Sequence, residues 1–413
     1  MTTGEKEEPI IETPIPDPSF ILETPMKWEI VEKDLQKHFN TDAKFGVNKS
    51  AQKFGVNQGY VSKIALVDFD WTKDQERLPK KGIIKITDVS GLRDMCELVL
   101  QKKFEDVEKQ AAEIHDNEMK IYLLMRDQWK CDRELRMPLF YSGRAFGEDG
   151  VKAGYIALEF IDGGIVRHVY HNVQLESCED VFRILAKLGA KGLRDQKTVE
   201  EYKLEFIVQM FKDAFSVEKV RAGLPSLTKY APNMEQHLDF ISTKLEALAD
   251  MDNYQKLLDE SCPIKMLCHG DLWTANVIWE KDQNGLYRLK KLIDWQLPHA
   301  GSPVGDIVRF LNSALSGKVK HENRHRLIQL YYDTLVAECG DEVKVPFTVE
   351  MLNEGYEKLI PIVTIPVLPF FAGMIEMILK TVPEDEKQEA EEVFLDKLRT
   401  SIEEAVEYTR KWY

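Results

Sequence analysis

The sequence contains little cysteine. Six cysteines occur among 413 residues, and no two of them form a C-x-x-C pair. A disulfide-bonded scaffold carries a much higher share, so that class of protein is excluded and reduced thiols in a reducing compartment are expected. The first 25 residues lack a basic start and an apolar stretch, so no secretory signal is visible. Both observations predict a cytoplasmic location.

Positive charge is in deficit. The chain has 55 Lys and Arg residues against 70 Asp and Glu residues, which gives a formal net charge of −15. An acidic surface repels the phosphate backbone of DNA and RNA. We therefore expect no nucleic-acid partner.

Long apolar runs are also scarce. The best membrane candidate is the uncharged segment 359–375, which is marginal in length and contains Pro361, Pro366 and Pro369. In lipid, the carbonyl groups freed by these prolines would lack hydrogen-bond donors. We therefore predict no membrane span, and we expect this segment to form buried helices and a turn in a folded core.

The order of sequence patterns predicts two lobes. With 44% hydrophobic residues the chain can bury a core, and its length exceeds the usual size of one domain. Residues 1–25 are acidic and proline-spaced, which predicts a flexible tail. Residues 26–165 are rich in short strand patterns and 166–413 are mainly helical. The predicted fold class is α+β and bilobal, with a small antiparallel-sheet lobe, a larger helical lobe and a cleft between them.

The most informative residues are HGDLWTAN at 269–276 and LIDWQ at 292–296. Phosphoryl transfer from ATP needs a carboxylate to orient the acceptor hydroxyl and oxygen ligands to hold Mg²⁺ on the phosphates. Asp271, Asn276 and Asp294 supply these oxygens from two neighbouring segments. The five-residue spacing from Asp271 to Asn276 is that of a kinase catalytic loop. These residues predict a phosphotransferase site.

Upstream segments follow the order that a nucleotide site would need. The 55–63 loop, with Gly59 and Ser62, could cover the phosphates. Lys85 lies inside the strand pattern GIIKIT, and Glu118 lies in the helical pattern HDNEMKIY. The strand pattern at 155–161 could lead to an adenine-binding hinge.

These motifs resemble the protein-kinase-like superfamily, in its choline-kinase and aminoglycoside-phosphotransferase branch. Within that branch the chain is most similar to the ecdysteroid-kinase-like, or CHK-kinase-like, proteins. The distinguishing marks are Trp273 in HGDLWTAN and Gln296 in IDWQ, and the resemblance covers about residues 40–410. It implies a bilobal protein-kinase-like fold with a five-stranded amino-terminal sheet.

The resemblance also implies roles for matching residues. Asp271 would be the catalytic base, while Asn276 and Asp294 would bind Mg²⁺. Lys85 and Glu118 would form the ion pair that positions the phosphates of ATP. Three further positions would contribute to adenine binding or to bracing of the catalytic loop, namely the backbones of Glu159 and Ile161 and the side chain of Asp306.

Three features depart from protein kinases or from the branch. The metal motif is Asp-Trp-Gln rather than Asp-Phe-Gly, and no activation segment ending in Ala-Pro-Glu is recognisable, which argues against a peptide substrate. Gly189 stands in a helical pattern where the branch often has histidine. Glycine in a helix costs about 1 kcal/mol relative to alanine, so local packing there is in question.

The predicted function is ATP- and Mg²⁺-dependent transfer of phosphate to a hydroxyl group of a small molecule. The alternative is a catalytically inactive pseudokinase that acts as a ligand-binding or scaffolding module. A steroid-like alcohol could use the apolar 359–375 region, and a choline-like alcohol would need an aromatic cage. The candidates for that cage are Trp273, Trp295, Tyr331 and Tyr332. The sequence indicates neither the acceptor nor the oligomeric state.

Overall fold

A computed structural model gives the fold. It describes residues 17–55, 62–87, 104–203, 215–250, 256–260 and 265–413, together with the single positions 89, 208 and 212. The chain divides into two compact units. One consists of Met1–Leu92 and Tyr141–Glu159, and the other of Arg93–Phe140 and Phe160–Tyr413. They are called the sheet unit and the helical unit below.

The sheet unit is built on a five-stranded sheet, as predicted. Helix α1 (Trp28–Phe39) precedes the strands. The strands are β1 (Ser50–Lys53), β2 (Ser62–Asp68), β3 (Lys81–Thr87), β4 (Phe140–Arg144) and β5 (Gly154–Glu159). Their order in the sheet is β1-β2-β3-β5-β4, and the pairing from β1 through β3 to β5 is antiparallel.

β3 is the central strand, and its sequence explains its position. Isoleucines at 84 and 86 are fully buried, and β-branched residues of this kind fit a strand that is covered on both faces. Lys85 stands between them, opposite Ile64 of β2 and Ile156 of β5. Its side chain is 7% exposed. Because lysine is almost never fully buried without a charged partner, Lys85 is an unusual residue for a central strand.

The helical unit contains most of the helices. In chain order these are α2 (Phe104–Leu123), α3 (Leu175–Arg194), α4 (Gln196–Val199), α5 (Val217–Gly223), α6 (Glu235–Ser242), α7 (Leu245–Leu248), α8 (Pro303–Ala314), α9 (Gly317–Cys339), α10 (Val349–Thr364), α11 (Leu368–Leu379) and α12 (Lys387–Trp412). The strands are β6 (Ile165–Val166), β7 (Met266–Cys268), β8 (Val277–Lys281), β9 (Tyr287–Leu292) and β10 (His299–Gly301). They form a β10-β7 pair and a three-stranded sheet in the order β6-β8-β9. The predicted α+β class is thereby confirmed.

Gly189 allows close packing of α3. A Cβ atom at this position would lie 2.5 Å from Met266 Cε of β7 and 3.0 Å from Tyr331 Oη of α9. A side chain would therefore require the flexible end of Met266 to move and would crowd the Tyr331 hydroxyl. The close approach offsets the helix-propensity cost that the sequence analysis associates with this glycine.

The uncharged segment 359–375 is part of the folded core, as predicted. Leu359, Ile360 and Ile362 are fully buried in α10, a short 3₁₀ turn follows at Ile365–Val367, and α11 begins at Leu368. None of the helices in the described part of the chain is both long and apolar enough to span a membrane.

The described end of the predicted tail is packed. Residues 1–16 lie outside the described residues, but Ile21 is fully buried and Thr24 is 4% exposed. The Thr24 hydroxyl donates to the Ile21 carbonyl at 2.7 Å, and Phe20 forms an antiparallel bridge with Lys27. Residues 17–25 thus differ from the flexible tail expected there, because their apolar side chains enter the core of the sheet unit.

Only one boundary of the compact units lies close to a boundary of the predicted lobes. The change from Glu159 to Phe160 lies close to the predicted boundary between 165 and 166. Residues 93–140, which the sequence analysis groups with the amino-terminal lobe, cluster with the helical unit. The functional division into lobes stays a prediction.

A buried lysine ties α12 to two other segments of the helical unit. Lys397 Nζ donates to the carbonyl oxygens of Val169, His171 and Ser313 at 2.8, 2.7 and 2.6 Å. Replacing it by Met should lower the free energy of unfolding by about 3 kcal/mol, because three buried acceptors each lose a hydrogen bond worth about 1 kcal/mol. Burial lowers the pKa of Lys397 to about 7, so denaturant unfolding at pH 6, where the ammonium group is charged, measures this. Lys318→Met, at an exposed position on α9, is the control. Equal losses in the two variants would contradict the assigned role.

Candidate functional site

The loop 269–276, between β7 and β8, carries the motif HGDLWTAN. β7 pairs with β10, which places Cys268 opposite His299. Gly270 has φ +84°, and a Cβ atom there would lie 1.8 Å from the Leu297 carbonyl oxygen. Only glycine can therefore occupy this position without moving the backbone.

Asp306 braces the start of this loop. It lies in the first turn of α8 and is 4% exposed. Its carboxylate accepts hydrogen bonds from the backbone N–H groups of His269 at 2.7 Å and Gly270 at 2.9 Å. Burial raises the pKa of the Asp306 carboxyl to about 6, although both hydrogen bonds favour the charged form. This geometry matches the bracing role that the resemblance implies.

Asp271 and Asn276 meet within the loop. The Asn276 amide nitrogen donates to the Asp271 backbone carbonyl at 2.8 Å and to Asp271 Oδ2 at 3.3 Å. Asn276 is 6% exposed, whereas the Asp271 side chain is 22% exposed. The arrangement keeps the Asp271 carboxylate oriented and accessible.

The segment holding Asp294 is hydrogen-bonded to the same loop. Ile293 N donates to the Asn276 carbonyl at 3.0 Å, and the Ile293 carbonyl lies 3.0 Å from His269 Nε2. Asp294 itself has φ +64°, in the left-handed region that non-glycine residues seldom adopt. Such conformations cluster at functional sites, where the surrounding structure holds them.

One face of α8 contacts the loop at three successive points. Asp306, Arg309 and Ser313 follow the i, i+3, i+7 spacing of one helix face. Arg309 donates to Asp271 Oδ1 at 3.5 Å, and Thr274 N donates to the Ser313 hydroxyl at 3.1 Å. Asp306 is predicted from the sequence, whereas Arg309 and Ser313 are not, because their shared helix face becomes informative only once Asp306 is seen to contact the loop.

His269 is a neutral support of the loop. It is fully buried, and burial lowers its pKa to about 4. The Asp271 backbone N–H donates to His269 Nδ1 at 3.3 Å, so Nε2 carries the proton and donates to Ile293. If Nδ1 were protonated, its N–H would point at the backbone N–H of Asp271, and neither group could accept a hydrogen bond.

This histidine predicts a loss of stability in acid. The unfolded state binds a proton near pH 6.5 that the folded state binds only near pH 4, so the free energy of unfolding falls as the pH drops across this window. We expect His269 to contribute a loss on the order of 3 kcal/mol. Denaturant unfolding at several pH values measures it. His269→Gln should make the dependence shallower, while burial also lowers the pKa of His171 and His299 to about 4 and leaves part of it in place. The exposed His321→Gln control should not change the dependence. An unchanged slope in His269→Gln would contradict the prediction.

Glu118 lies in α2 of the helical unit and is 2% exposed. The fully buried Tyr122, one turn further along α2, has its pKa raised well above the usual value. The main cause is burial, and the negative charges of Glu118 and Asp294 add to it. The charges of Glu118 and Asp294 therefore both raise the pKa of the same buried phenol group.

The remaining predicted site residues are those predicted to contact the nucleotide. Gly59 lies outside the described residues. The Ser62 hydroxyl is buried and lies 2.9 Å from the Thr87 hydroxyl. Glu159 ends β5, and the Ile161 carbonyl accepts from Gly164 N at 3.4 Å. Lys85 belongs to the sheet unit and Glu118 to the helical unit, so their ion pair stays a prediction.

Two of the four candidate cage residues are unavailable to a ligand. Trp295 is fully buried and packs on the His269 ring at a centroid distance of 4.4 Å, and Tyr331 is 1% exposed. Trp273 is half-buried, and Tyr332 packs near Phe347 at 6.2 Å. An aromatic cage built from all four residues is therefore wrong.

The donor set near Asn276 fits Mg²⁺ better than a softer metal. The Asn276 NH₂ group donates to Asp271, which leaves the amide oxygen for a cation, and Asp294 adds a carboxylate. Among the described residues, no group of three or more His, Cys, Asp or Glu could hold a metal ion by itself. Mg²⁺ is commonly held by one or two protein oxygens together with phosphate oxygens, so the residues present fit it.

Comparison with solved structures finds similarity to small-molecule phosphotransferases. A putative aminoglycoside phosphotransferase from Ralstonia eutropha JMP134 is 12% identical, with a TM-score of 0.45, and the match covers 93% of this chain and 98% of that one. Plasmodium vivax ethanolamine kinase is 14% identical, with a TM-score of 0.39, covering 91% of this chain and 89% of that one.

Two curated proteins of Caenorhabditis elegans are similar in sequence. "Uncharacterized oxidoreductase dhs-27" is 21% identical over 317 residues, which is 73% of this chain and 36% of that protein. "Uncharacterized kinase-like protein D1044.1" is 31% identical over 91 residues, which is 22% of this chain and 23% of that protein. The chain thus matches about a third and about a quarter of the lengths of these relatives. Residues 18–411 match one family across almost the whole chain, and the chain belongs to that family, DUF1679, described as "Uncharacterized oxidoreductase dhs-27".

Proposed function

We propose that the protein is an ATP- and Mg²⁺-dependent kinase that transfers the γ-phosphate to a hydroxyl group of a small alcohol. The observation that carries the proposal is the hydrogen-bonded set of Asp271, Asn276 and the segment of Asp294. A carboxylate beside two oxygen ligands is the combination that phosphoryl transfer requires. Within the proposal, the motifs HGDLWTAN and IDWQ favour the CHK-kinase-like or ecdysteroid-kinase-like branch.

Asp271 is proposed to orient the acceptor hydroxyl and to take its proton. In the transfer, the acceptor oxygen bonds to phosphorus, the bond from phosphorus to the departing ADP oxygen breaks, and the hydroxyl proton passes to Asp271. The hydrogen bond from Asn276 orients this carboxylate. Preorganisation of this kind, rather than covalent chemistry by the protein, is the main source of rate in phosphoryl transfer.

Asn276 and Asp294 are proposed to hold Mg²⁺, which when bound would neutralise charge on the phosphates of ATP. Lys85 is proposed to position those phosphates, supported by its burial in the central strand of the sheet unit. Its partner in the proposal is Glu118, and nucleotide contacts are also assigned to Gly59, Ser62, Glu159 and Ile161. The Ser62 hydroxyl already contacts Thr87, so its contribution would come from the backbone.

The acceptor is proposed to be a small molecule in the cytoplasm. The thiols in the described part of the chain, Cys131, Cys178, Cys268 and Cys339, are all free of disulfides, which supports a reducing location. Burial of Trp295 and Tyr331 weakens the case for a choline-like head group held by those rings. A steroid-like or other neutral alcohol remains compatible with the site.

Nucleotide titration tests the proposal. Calorimetry with ATP, with and without Mg²⁺, should show binding that the metal strengthens. The family description names an oxidoreductase, so NADH and NADPH are titrated in parallel. Binding of NADH or NADPH without ATP binding would overturn the kinase proposal.

Lys85→Met distinguishes nucleotide binding at the proposed site from binding elsewhere. Its matched control is Lys63→Met on the neighbouring strand β2, at a half-buried position. The proposal predicts weaker ATP·Mg²⁺ binding or turnover in Lys85→Met alone. ATP binding without turnover of any hydroxyl compound would instead favour the pseudokinase alternative.

A further inference from the structure

We propose that Arg309 is a further catalytic residue, whose guanidinium contacts the phosphoryl group during transfer and neutralises the charge that develops on it. The inference rests on the proposed function and adds a residue that neither HGDLWTAN nor IDWQ contains. It identifies the cation on the α8 side of the site.

The geometry places the Arg309 guanidinium beside the reacting position. Arg309 Nη1 lies 3.5 Å from Asp271 Oδ1, the carboxylate proposed to hold the acceptor oxygen. In-line transfer brings phosphorus to that same oxygen, so the equatorial phosphoryl oxygens pass close to the Asp271 carboxylate. A group in contact with Asp271 is therefore within reach of them.

The donor capacity of Arg309 exceeds what Asp271 uses. A guanidinium has five N–H donors, and the contact with Asp271 engages one of them. The Arg309 side chain is 40% exposed, so the other donors are accessible to a ligand. Its charge also acts on Asp306, His269 and His299, so it lies near these residues.

The loop between Asp271 and Asn276 supplies no cation of its own. The residues between Asp271 and Asn276 are Leu272, Trp273, Thr274 and Ala275, none of which is positive. Asp271 and Asp294 both carry carboxylates, so the proposed site holds negative charge from two side chains. An arginine supplied in cis is a known means of stabilising this charge, and it raises the rate of related reactions by about 10³-fold or more.

A purely structural role accounts poorly for the contact. A partly exposed ion pair at 3.5 Å contributes about 0–1 kcal/mol to stability. The loop already has stronger supports in the two hydrogen bonds to Asp306 and the one to Ser313. Removing Arg309 should therefore leave the fold and the loop intact.

The test uses a mimic of the transferring phosphoryl group. Calorimetry measures binding of ADP·Mg²⁺ with and without aluminium fluoride to the full chain and to Arg309→Met, Arg309→Gln and Arg309→Lys. Arg133→Met, an exposed arginine of the helical unit, is the matched control. Thermal unfolding of each variant establishes that it is folded.

We expect fluoride to tighten ADP binding in the full chain and in Arg133→Met by at least ~10-fold. Arg309→Met and Arg309→Gln should lose this gain while ADP·Mg²⁺ affinity stays within about twofold, and Arg309→Lys should recover only part of it because lysine is a point charge. The role of Arg309 would be overturned if aluminium fluoride tightened ADP binding as much in both neutral variants as in the full chain. It would also be overturned if aluminium fluoride did not tighten ADP binding in the full chain. Neither result would contradict nucleotide binding itself. Failure of the full chain to bind ADP·Mg²⁺ would overturn the proposed function, and this inference with it.

Discussion

Replacing Asp271 with Asn should lower the rate of phosphate transfer at least ~10²-fold, the usual scale for loss of a general base. Asparagine keeps the size of the side chain and can still accept the hydrogen bond from Asn276, but it cannot take a proton from the acceptor. The backbone of the loop should be unchanged, because Asp306 and Ser313 hold it independently. ATP·Mg²⁺ affinity should therefore stay within about twofold of the original, since the change acts in the transition state.

Single-turnover transfer and calorimetry measure the two quantities separately. Asp341→Asn, an exposed carboxylate in the connection after α9, provides a control with the same chemical change. Transfer at the original rate in Asp271→Asn would contradict the role of Asp271 as the general base. Parallel losses of ATP affinity and rate would instead indicate a damaged site.

Replacing Asp294 with Asn should abolish most of the phosphate-transfer activity, because it weakens the binding of Mg²⁺. The change removes one negative charge from the pair of side chains that fits Mg²⁺, and a hard divalent cation prefers carboxylate oxygens. We expect transfer at saturating ATP to fall by ~10³-fold, of the order found when a charge-stabilising group is lost from a phosphoryl-transfer site. Nucleotide affinity without Mg²⁺ should change little, because the adenine contacts are assigned to other residues.

The measurement is an ATP titration at several Mg²⁺ concentrations in both proteins. In the original protein Mg²⁺ should strengthen ATP binding, and in Asp294→Asn that enhancement should shrink. Asn tolerates the left-handed backbone that position 294 adopts, so the variant tests charge rather than conformation. The same Mg²⁺ dependence in both proteins would place the metal elsewhere.

The architecture was predictable from local patterns. The helical carboxy-terminal part and the burial of Leu359, Ile360 and Ile362 follow from helix-like spacing of apolar residues, with prolines marking interruptions. The number of strands in the sheet is what the family resemblance implied. Packing of residues 17–25 was not predictable in this way. Ile21 enters the core although it stands in a sequence with proline, charge and no periodicity.

The loop residues were predictable because they are contiguous in sequence. Asp271 and Asn276 are five residues apart, and the segment of Asp294 lies only one hairpin further along, formed by β8 and β9. The braces from α8 were harder to predict. Arg309 and Ser313 act on a loop more than 30 residues away, and helical periodicity alone does not tell which face of α8 meets that loop.

The burial of Trp295 and Tyr331 shows that they belong to the core and not to a ligand-binding cage. Trp295 and Tyr331 are residue types that can form an aromatic cage. Only the packing of Trp295 on His269 and of Tyr331 near Met266 assigns them to the core. The sequence contains no signal for this choice, because an aromatic residue suits a core and a binding surface equally well.

Phosphate transfer from γ-labelled ATP tests the central claim most directly. The protein is incubated with ATP, Mg²⁺ and a panel of small hydroxyl compounds that includes steroid alcohols and amino alcohols, and products are identified by mass spectrometry beside the Asp271→Asn variant. The account predicts a phosphorylated small molecule that the original protein forms and the variant does not. Bound ATP with no labelled product from any compound, or label that accumulates on protein instead, would contradict it.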